Sequence, residues 1–137
     1  MADFDPTDPL GCDVMITDDL DANHRLISGV VLLATDLYRR IITPRGSLID
    51  DEDYGIDIRA MLHKAMTPAE EATIPSRVRA ECLKDPRVET VNVVLTREGS
   101  PLPNRWRVQI YGTSIGDEAF DLVVGVGDLD VQLLEAA

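Results

Sequence analysis

The sequence predicts an α+β domain in which a three-stranded antiparallel β-meander packs against two to three helices, with extended arms at both termini. Between residues 26 and 42 the apolar residues come in pairs, at 26/27, 30/31, 33/34, 37/38 and 41/42, which is close to the helical period. After residue 86 the period changes to alternation, which recurs at 91–95, 106–110 and 120–126. A helical first part followed by three alternating segments is typical of a sheet that helices cover on one face.

The first half of the chain is expected to hold one short strand and two helices. Val14 and Ile16 alternate with polar neighbours and predict the strand. The paired apolar residues predict a first helix over 26–42, with Asn23 as its N-cap. A second helix is expected over 55–65, because the apolar residues of that segment share one helical face.

A third helix begins at Thr67-Pro68-Ala69-Glu70, which combines a capping box with proline at the first helical position. Pro75 leaves two alternatives: one helix that kinks there, or a short turn of helix followed by a separate helix over 75–84. Val78, Cys82 and Leu83 are expected to supply the apolar face.

In the predicted strands every second residue is apolar. The side chains expected on the buried face are Val91, Val93, Leu95, Trp106, Val108, Ile110, Phe120, Leu122, Val124 and Val126. Gly116-Asp117 predicts the hairpin between the second and third strands. Residues 129–133 alternate again, which predicts either a fourth strand of the same sheet or an arm that pairs with another subunit.

Length and charge limit the possible functions. The 137 residues, 45% of them hydrophobic, suffice for one core and are too few for two ordinary domains. We expect an extended, poorly packed acidic leader over 1–11, a single domain over 12–127 and a strand or arm over 128–137. The net charge of -12 is concentrated at the termini, since 1–24 hold seven Asp, 112–137 hold six acids, and neither segment holds a base. Phosphates and anionic lipids would be repelled, so neither nucleic acid nor a membrane is an expected partner, whereas basic proteins are compatible.

Cysteine and histidine usage predicts neither a disulfide nor a metal site. Cys12 and Cys82 lie far apart and are expected to be reduced thiols. His24 and His63 have no ligand-type residues at metal-binding spacing, and no cofactor is expected. No segment resembles a signal peptide or a membrane span, so a soluble protein made in a cytosol is expected.

One motif suggests a serine nucleophile. Gly112-Thr113-Ser114-Ile115-Gly116 matches the nucleophile-elbow pattern, but an alternating strand follows the serine where an elbow needs a helix. A hairpin is therefore expected there. The 25 acids include no carboxylate in an apolar, aromatic setting that would raise its pKa, so no enzymatic activity is expected.

A second motif suggests calcium. Within the acidic run Asp50–Asp53 and the residues after it, Asp51, Asp53 and Gly55 alternate as in a binding loop. Counting from Asp51, however, the sixth position is Ile56 and the twelfth is Leu62, where glycine and glutamate belong. The run is expected to be a solvated loop that balances Arg39, Arg40 or Arg45.

The segment from Arg39 to Gly55 is the most informative stretch. Proline disfavours helical geometry in the residue before it, so the first helix should end by Thr43, and Gly46 permits a sharp turn. Arg45 is then presented on a stiff corner, where its guanidinium can pair with a carboxylate of the same chain or of a partner.

This junction resembles that of the baseplate wedge proteins of contractile phage tails and related injection machines, a family often labelled lysozyme-like. Members carry a Glu-Pro-Arg or similar Xaa-Pro-Arg turn after a helix and then an acidic Asp-Tyr-Gly segment, and this chain has Thr43-Pro44-Arg45-Gly46 and Asp53-Tyr54-Gly55. Asp85-Pro86-Arg87-Val88 is similar to the family's passage from its last helix into its main strand. The likeness spans most of residues 12–126. Thr43 stands where the Glu form has its acid, so no salt bridge of that Glu carries over.

The resemblance implies a structural wedge subunit that joins the baseplate to the first sheath ring and helps to initiate sheath assembly, in several symmetric copies, with six expected. The implied partners are other wedge proteins, the sheath protein, and hub or tube proteins, and the implied location is the tail baseplate of the virion. The residues expected to contact partners are Thr43, Pro44, Arg45, Gly46, Tyr54, Gly55, Leu129, Val131 and Leu133. Two alternatives stay open: a peptidoglycan-cleaving lysozyme-like enzyme and a small cytosolic adaptor.

Overall fold

The predicted α+β class is confirmed by the computed structural model, which describes residues 4–15, 23, 25–63, 67–98, 105–127 and the backbone of 131–136. The helices are α1 (Gly29–Ile42), α2 (Ile58–His63) and α3 (Pro68–Cys82). The strands are β1 (Cys12–Val14), β2 (Leu26–Ser28), β3 (Val88–Glu98), β4 (Arg105–Ser114), β5 (Ala119–Val126) and β6 (Val131–Ala136). The meander expected from the alternating segments corresponds to β3, β4 and β5.

The main sheet has the order β3-β4-β5-β6, and every neighbouring pair is antiparallel. Val108 of β4 lies opposite Leu95 of β3 and Val124 of β5, so these alternating apolar residues of the three strands share one face. Helix α1 packs against β5 and α3 against β3. The core lies between them, and its fully buried side chains include Leu33, Leu37, Ile41, Val108, Ile110 and Leu122. None of the described helices is both long enough and apolar enough to cross a membrane.

The alternating C-terminal segment is a fourth strand of the sheet. The register of β6 on β5 runs from Val126 opposite Val131 to Leu122 opposite Ala136. Of the two alternatives that the sequence left open, the backbone pairing selects the strand within the same chain. Leu129 lies outside the described residues.

The predicted start of the first helix is wrong. Residues 26–28 form β2 and pair with β1, Val14 lying opposite Leu26, and the helix begins at Gly29. Gly29 has φ +70°, a backbone angle that turns the chain from strand to helix. Ser28, and not Asn23, occupies the N-cap position. Tertiary strand pairing overrides the helical pattern at this end. Of the predicted strand residues, Val14 lies in β1 and Ile16 lies outside the described residues.

The second helix begins later than predicted and the third is continuous. Gly55 and Asp57 have φ of +93° and +51°, left-handed angles that delay α2 to Ile58. Helix α3 runs through Pro75 without a break, because Ile74 and Val78 on either side of it are buried in the core and offset the lost backbone hydrogen bond. The predicted capping box at its start is confirmed.

Candidate functional site

The turn after α1 is closed by hydrogen bonds at its start. Thr43 donates its backbone N–H (3.1 Å) and its hydroxyl (2.6 Å) to the carbonyl oxygen of Arg39, which ends the helix. The N–H and the hydroxyl of Ser47 both reach the carbonyl oxygen of Pro44, at 3.2 and 2.6 Å. Gly46 between them has φ +85°, as a sharp turn requires. The chain therefore reverses direction within a few residues of the helix end.

The returning segment packs directly on this turn. The N–H of Asp57 donates to the carbonyl oxygen of Thr43 at 3.1 Å. Gly55 has φ +93°, and a Cβ at this position would overlap the carbonyl oxygen of Thr43. Glycine is therefore required by the approach of two backbones as well as by the backbone angle. The loop from Thr43 to Asp57 is fastened at its base.

A buried carboxylate of α3 holds the base of that loop. The side chain of Glu81 is 0% exposed. Its Oε1 accepts the Gly55 N–H at 2.8 Å and faces the Arg40 guanidinium at 3.4 Å. Its Oε2 accepts from Arg45 at 3.0 Å and lies 2.9 Å from the Lys84 ammonium. Each oxygen thus has two donors, which fills the capacity of a carboxylate. We call Glu81, Arg40, Arg45, Lys84 and Gly55 the Glu81 cluster.

The electrostatics of the Glu81 cluster favour the ionised carboxylate. Burial alone would raise the pKa of Glu81, but the hydrogen bonds from Lys84 and Gly55 and the charges of Lys84 and Arg40 outweigh it, so the pKa lies below its ordinary 4.5. Arg40 also lies over the ring of Tyr54, 4.4 Å from its centroid. Burial raises the pKa of the Tyr54 phenol, against the opposing charge of Arg40.

The predicted contact residues of the junction divide between surface and interior. Pro44, Arg45 and Gly46 are exposed, and the Arg45 side chain keeps 53% of its surface open while it binds Glu81. Arg45 Nε also donates to the carbonyl oxygen of Gly55 at 3.0 Å. Thr43 and Tyr54 are half-buried, and Gly55 is buried. The arginine corner is therefore tied to its own chain, one of the two pairings that the sequence allowed.

The remaining predicted contact residues lie apart from this junction, at the end of the chain. Val131 and Leu133 belong to β6, where they lie opposite Val126 and Val124 of β5.

Sequence reasoning missed the residue at the centre of the cluster. Glu81 follows Val78 by three positions and Ile74 by seven, so it falls on the apolar stripe of α3. An acid at a core position was the available signal, because a buried charge requires partners. Leu83, which was expected on that apolar face, is 38% exposed, because the helix ends at Cys82.

The acidic run does not balance the arginines before it, contrary to the prediction. Arg40 and Arg45 pair with Glu81, and Arg39 lies 3.7 Å from Asp36. A buried carboxylate attracts a guanidinium more strongly than a solvated one, because water screens the latter.

A second cluster fastens the N-terminal leader. Arg87 pairs with both carboxylate oxygens of Asp85, at 3.0 and 2.7 Å, and with Asp36 at 2.9 Å. Its Nη1 donates to the carbonyl oxygen of Leu10 at 2.9 Å, and Leu10 is only 2% exposed. The expectation of an extended, poorly packed leader is therefore wrong for its last residues. They are packed because this guanidinium binds their backbone.

A groove of about 320 Å³ lies between α2 and the first half of α3. Its lining includes two carboxylates, Asp57 and Glu70. Both serve as local caps, since Asp57 accepts the Ala60 N–H at 3.3 Å and Glu70 accepts the Thr67 N–H at 3.1 Å. Within the described ranges, no group of three or more His, Cys, Asp or Glu side chains is placed to hold a metal ion.

The predicted hairpin at the serine motif is present. Ser114 ends β4, its side chain is buried, and Asp117 takes φ +61° in the turn to β5. His63 lies at the end of α2, where its Nε2 is 2.6 Å from the carbonyl oxygen of Gly127. Cys12 is exposed and Cys82 buried, and both are free thiols.

Comparison with known proteins identified no relative of this chain. No protein-family model matches the chain, and no curated protein sequence matches it either.

Proposed function

We propose that this chain is a structural wedge subunit of a contractile-tail baseplate, which joins the baseplate to the first sheath ring in six symmetric copies. The resemblance of the Pro44-Arg45 turn and the Asp53-Tyr54-Gly55 segment to that family suggests the role. Its partners would be neighbouring wedge proteins, the sheath protein, and hub or tube proteins.

The observation that carries the proposal is the position of β6 at the end of the sheet. In the order β3-β4-β5-β6 this strand pairs with β5 on one side. No described strand pairs with its other side, which can therefore offer backbone donors and acceptors to an incoming strand. At the opposite edge, Arg79 Nε already donates to the carbonyl oxygen of Val91 in β3 at 3.0 Å. Edge β6 is therefore the better place for a sheath strand to add by β-augmentation.

The Glu81 cluster supports the same role by making the loop after α1 rigid. A surface that assembles with defined geometry loses less conformational entropy when it is held before binding. Two groups of the loop 43–57, the Arg45 side chain and the Gly55 N–H, bind the carboxylate of Glu81 on α3, which Arg40 of α1 and Lys84 also face. This rigid corner would position the chain against a neighbouring wedge subunit.

Cryo-electron microscopy of particles from the encoding system tests the proposal. We expect density for this chain in a ring between the baseplate and the first sheath disc, with an additional strand beside β6. Absence of the chain from the particle would refute the proposal. Its presence without a strand beside β6 would refute the augmentation and leave the location standing.

Two assays separate the alternatives. A peptidoglycan hydrolase would clear a cell-wall suspension and lose that activity on Glu70→Gln or Asp57→Asn, the carboxylates that line the groove. We expect no clearing by the unaltered protein. A cytosolic adaptor would bind a host protein in cells that lack every sheath and wedge protein, and we expect no such complex.

A further inference from the structure

The loop that the Glu81 cluster holds carries an apolar tip. Ile49 is 97% exposed and its neighbour Leu48 is 41% exposed. Single exposed apolar residues are ordinary, but here two adjacent ones occupy a loop tip. Leu83, which directly follows α3, is 38% exposed. It lies near the base of the same loop, since the adjacent Lys84 donates to the carbonyl oxygen of Asp53 at 2.7 Å.

The tip is held in a defined conformation on both sides. Before it, Ser47 is hydrogen-bonded to Pro44 through its N–H and its hydroxyl. After it, the N–H of Asp53 donates to the Asp51 carboxylate at 3.1 Å, and the N–H of Tyr54 donates to the Asp51 carbonyl oxygen at 3.3 Å. An apolar side chain on such a support can enter a pocket without ordering the loop first.

The tip is followed by four consecutive acids, Asp50–Asp53, all of them exposed. Among the described side chains no cation pairs with them, because the nearby Arg40, Arg45 and Lys84 face Glu81. The outer part of the loop therefore presents two apolar side chains next to uncompensated negative charge. An anionic membrane would repel this surface, and so would a second copy of a chain with net charge -12.

We infer that Ile49 and Leu48 insert into an apolar pocket of a partner protein whose rim carries Lys or Arg side chains. This inference rests on the proposed function, in which that partner is a neighbouring wedge protein. It assigns the contact to the tip at 47–53, whereas Arg45 mainly fixes the base of the loop.

Photo-crosslinking in assembled particles tests the inference. Benzoylphenylalanine replaces Ile49 in one variant and Ile115, another isoleucine exposed at a turn (60%), in a matched control. We expect position 49 to crosslink to one wedge protein, at an apolar segment flanked by Lys or Arg. The inference would be overturned if position 49 crosslinked only to a second copy of the chain, to lipid, or to a segment without basic residues. The absence of any crosslink from position 49 would overturn it as well.

Substitutions give the energetic test. Ile49→Ser is expected to reduce incorporation into particles about 10-fold, the loss expected for one unburied aliphatic side chain, whereas Ile115→Ser leaves it unchanged. Asp50→Lys with Glu52→Lys should also weaken incorporation, most at low salt. The side chains of Asp50 and Glu52 make no hydrogen bond or ion pair with the described residues, so folding should be unaffected.

If unaltered protein enters particles and Ile49→Ser enters equally well, the inferred contact of the tip is refuted and the wedge role stands. If unaltered protein is absent from particles, both fail.

Discussion

The carboxylate of Glu81 accepts the backbone N–H of Gly55 at 2.8 Å. This hydrogen bond joins the loop after α1 to α3, which begins 13 residues after Gly55. Gly55 can lie against the Thr43 carbonyl because it has no side chain, and Glu81 can be buried because four donors surround it. The corner proposed to meet neighbouring subunits thus depends on one internal ion cluster.

Removing the charge of Glu81 should destabilise the whole domain. In Glu81→Gln three cations lose their common anion while the side-chain volume is kept, so we expect a loss of about 3 kcal/mol in the free energy of unfolding. Urea denaturation measures it. Glu71→Gln on the same helix is the control, because Glu71 is 39% exposed, lies 3.7 Å from Arg97, and should contribute about 1 kcal/mol or less. Equal losses in the two variants would contradict the proposed cluster.

The same carboxylate predicts a loss of stability in acid. The folded-state pKa values of Glu81 and Asp85 lie below their ordinary values of 4.5 and 3.8. A depressed carboxyl pKa contributes stability that is fully present above the unfolded-state pKa and is lost as the pH falls through the folded-state pKa. We expect the free energy of unfolding to be level above about pH 5 and to decline below it. Glu81→Gln should decline less steeply; parallel curves would show that Glu81 contributes nothing to the pH dependence.

Two glycines of the loop separate backbone angle from close contact. Gly46 and Gly55 both have left-handed φ, but a Cβ at Gly46 meets nothing within 4 Å, whereas at Gly55 it overlaps Thr43. Gly46→Ala should therefore cost about 1 kcal/mol, and Gly55→Ala distinctly more. Thermal unfolding of the two variants measures the difference. Similar melting temperatures would mean that the loop can move away from Thr43.

The two thiols should differ in reactivity. Burial raises the pKa of Cys82 to about 12, while Cys12 is exposed. We expect one thiol of the native protein to react rapidly with a disulfide reagent and the second only on unfolding. In Cys12→Ser the slow reaction then reports the opening of α3 beside Glu81. Rapid reaction of both thiols in native protein would contradict the burial of Cys82.

Arg87 should control the order of the leader. Arg87→Lys keeps the charge but loses the bidentate contact with Asp85 and the hydrogen bond to the Leu10 carbonyl oxygen. We expect the free energy of unfolding to fall by about 2 kcal/mol. Hydrogen exchange should show faster exchange at the Gly11 amide, which donates to Asp8 in the same leader. Arg107→Lys, at an exposed position on β4, is the control. Unchanged exchange in Arg87→Lys would mean that the leader is held by its apolar contacts alone.

An Arg45 variant would not separate a partner contact from folding. Because Arg45 binds Glu81 and Gly55, Arg45→Ala should lower stability by about 1 kcal/mol even in the isolated chain. An assembly defect in that variant would mix loop loosening with lost contact. Deleting 128–137 is likewise ambiguous, since it removes β6 from the sheet. The Ile49 and Ile115 variants avoid both problems.

The sequence pattern predicted those parts of the fold that depend on interactions between residues close together in the chain. Alternation in β3, β4 and β5 placed Trp106, Val108 and Ile110 on the buried face, since side chains of a strand alternate whatever the strand pairs with. The capping box at Thr67 was readable because its hydrogen bonds span three residues. The start of α1 was not readable, because β1, distant in sequence, pairs with Leu26–Ser28.

The sequence by itself determined the α+β class, the end of α1 at Thr43 and the turn that follows it, because periodicity, proline and glycine act on neighbouring residues. Only the tertiary structure decided that β6 joins the sheet, that Arg45 binds Glu81 and that Ile49 is left exposed. Those outcomes depend on which distant groups meet. A buried carboxylate selects its partners by burial and distance in the folded chain, which residue order does not encode locally.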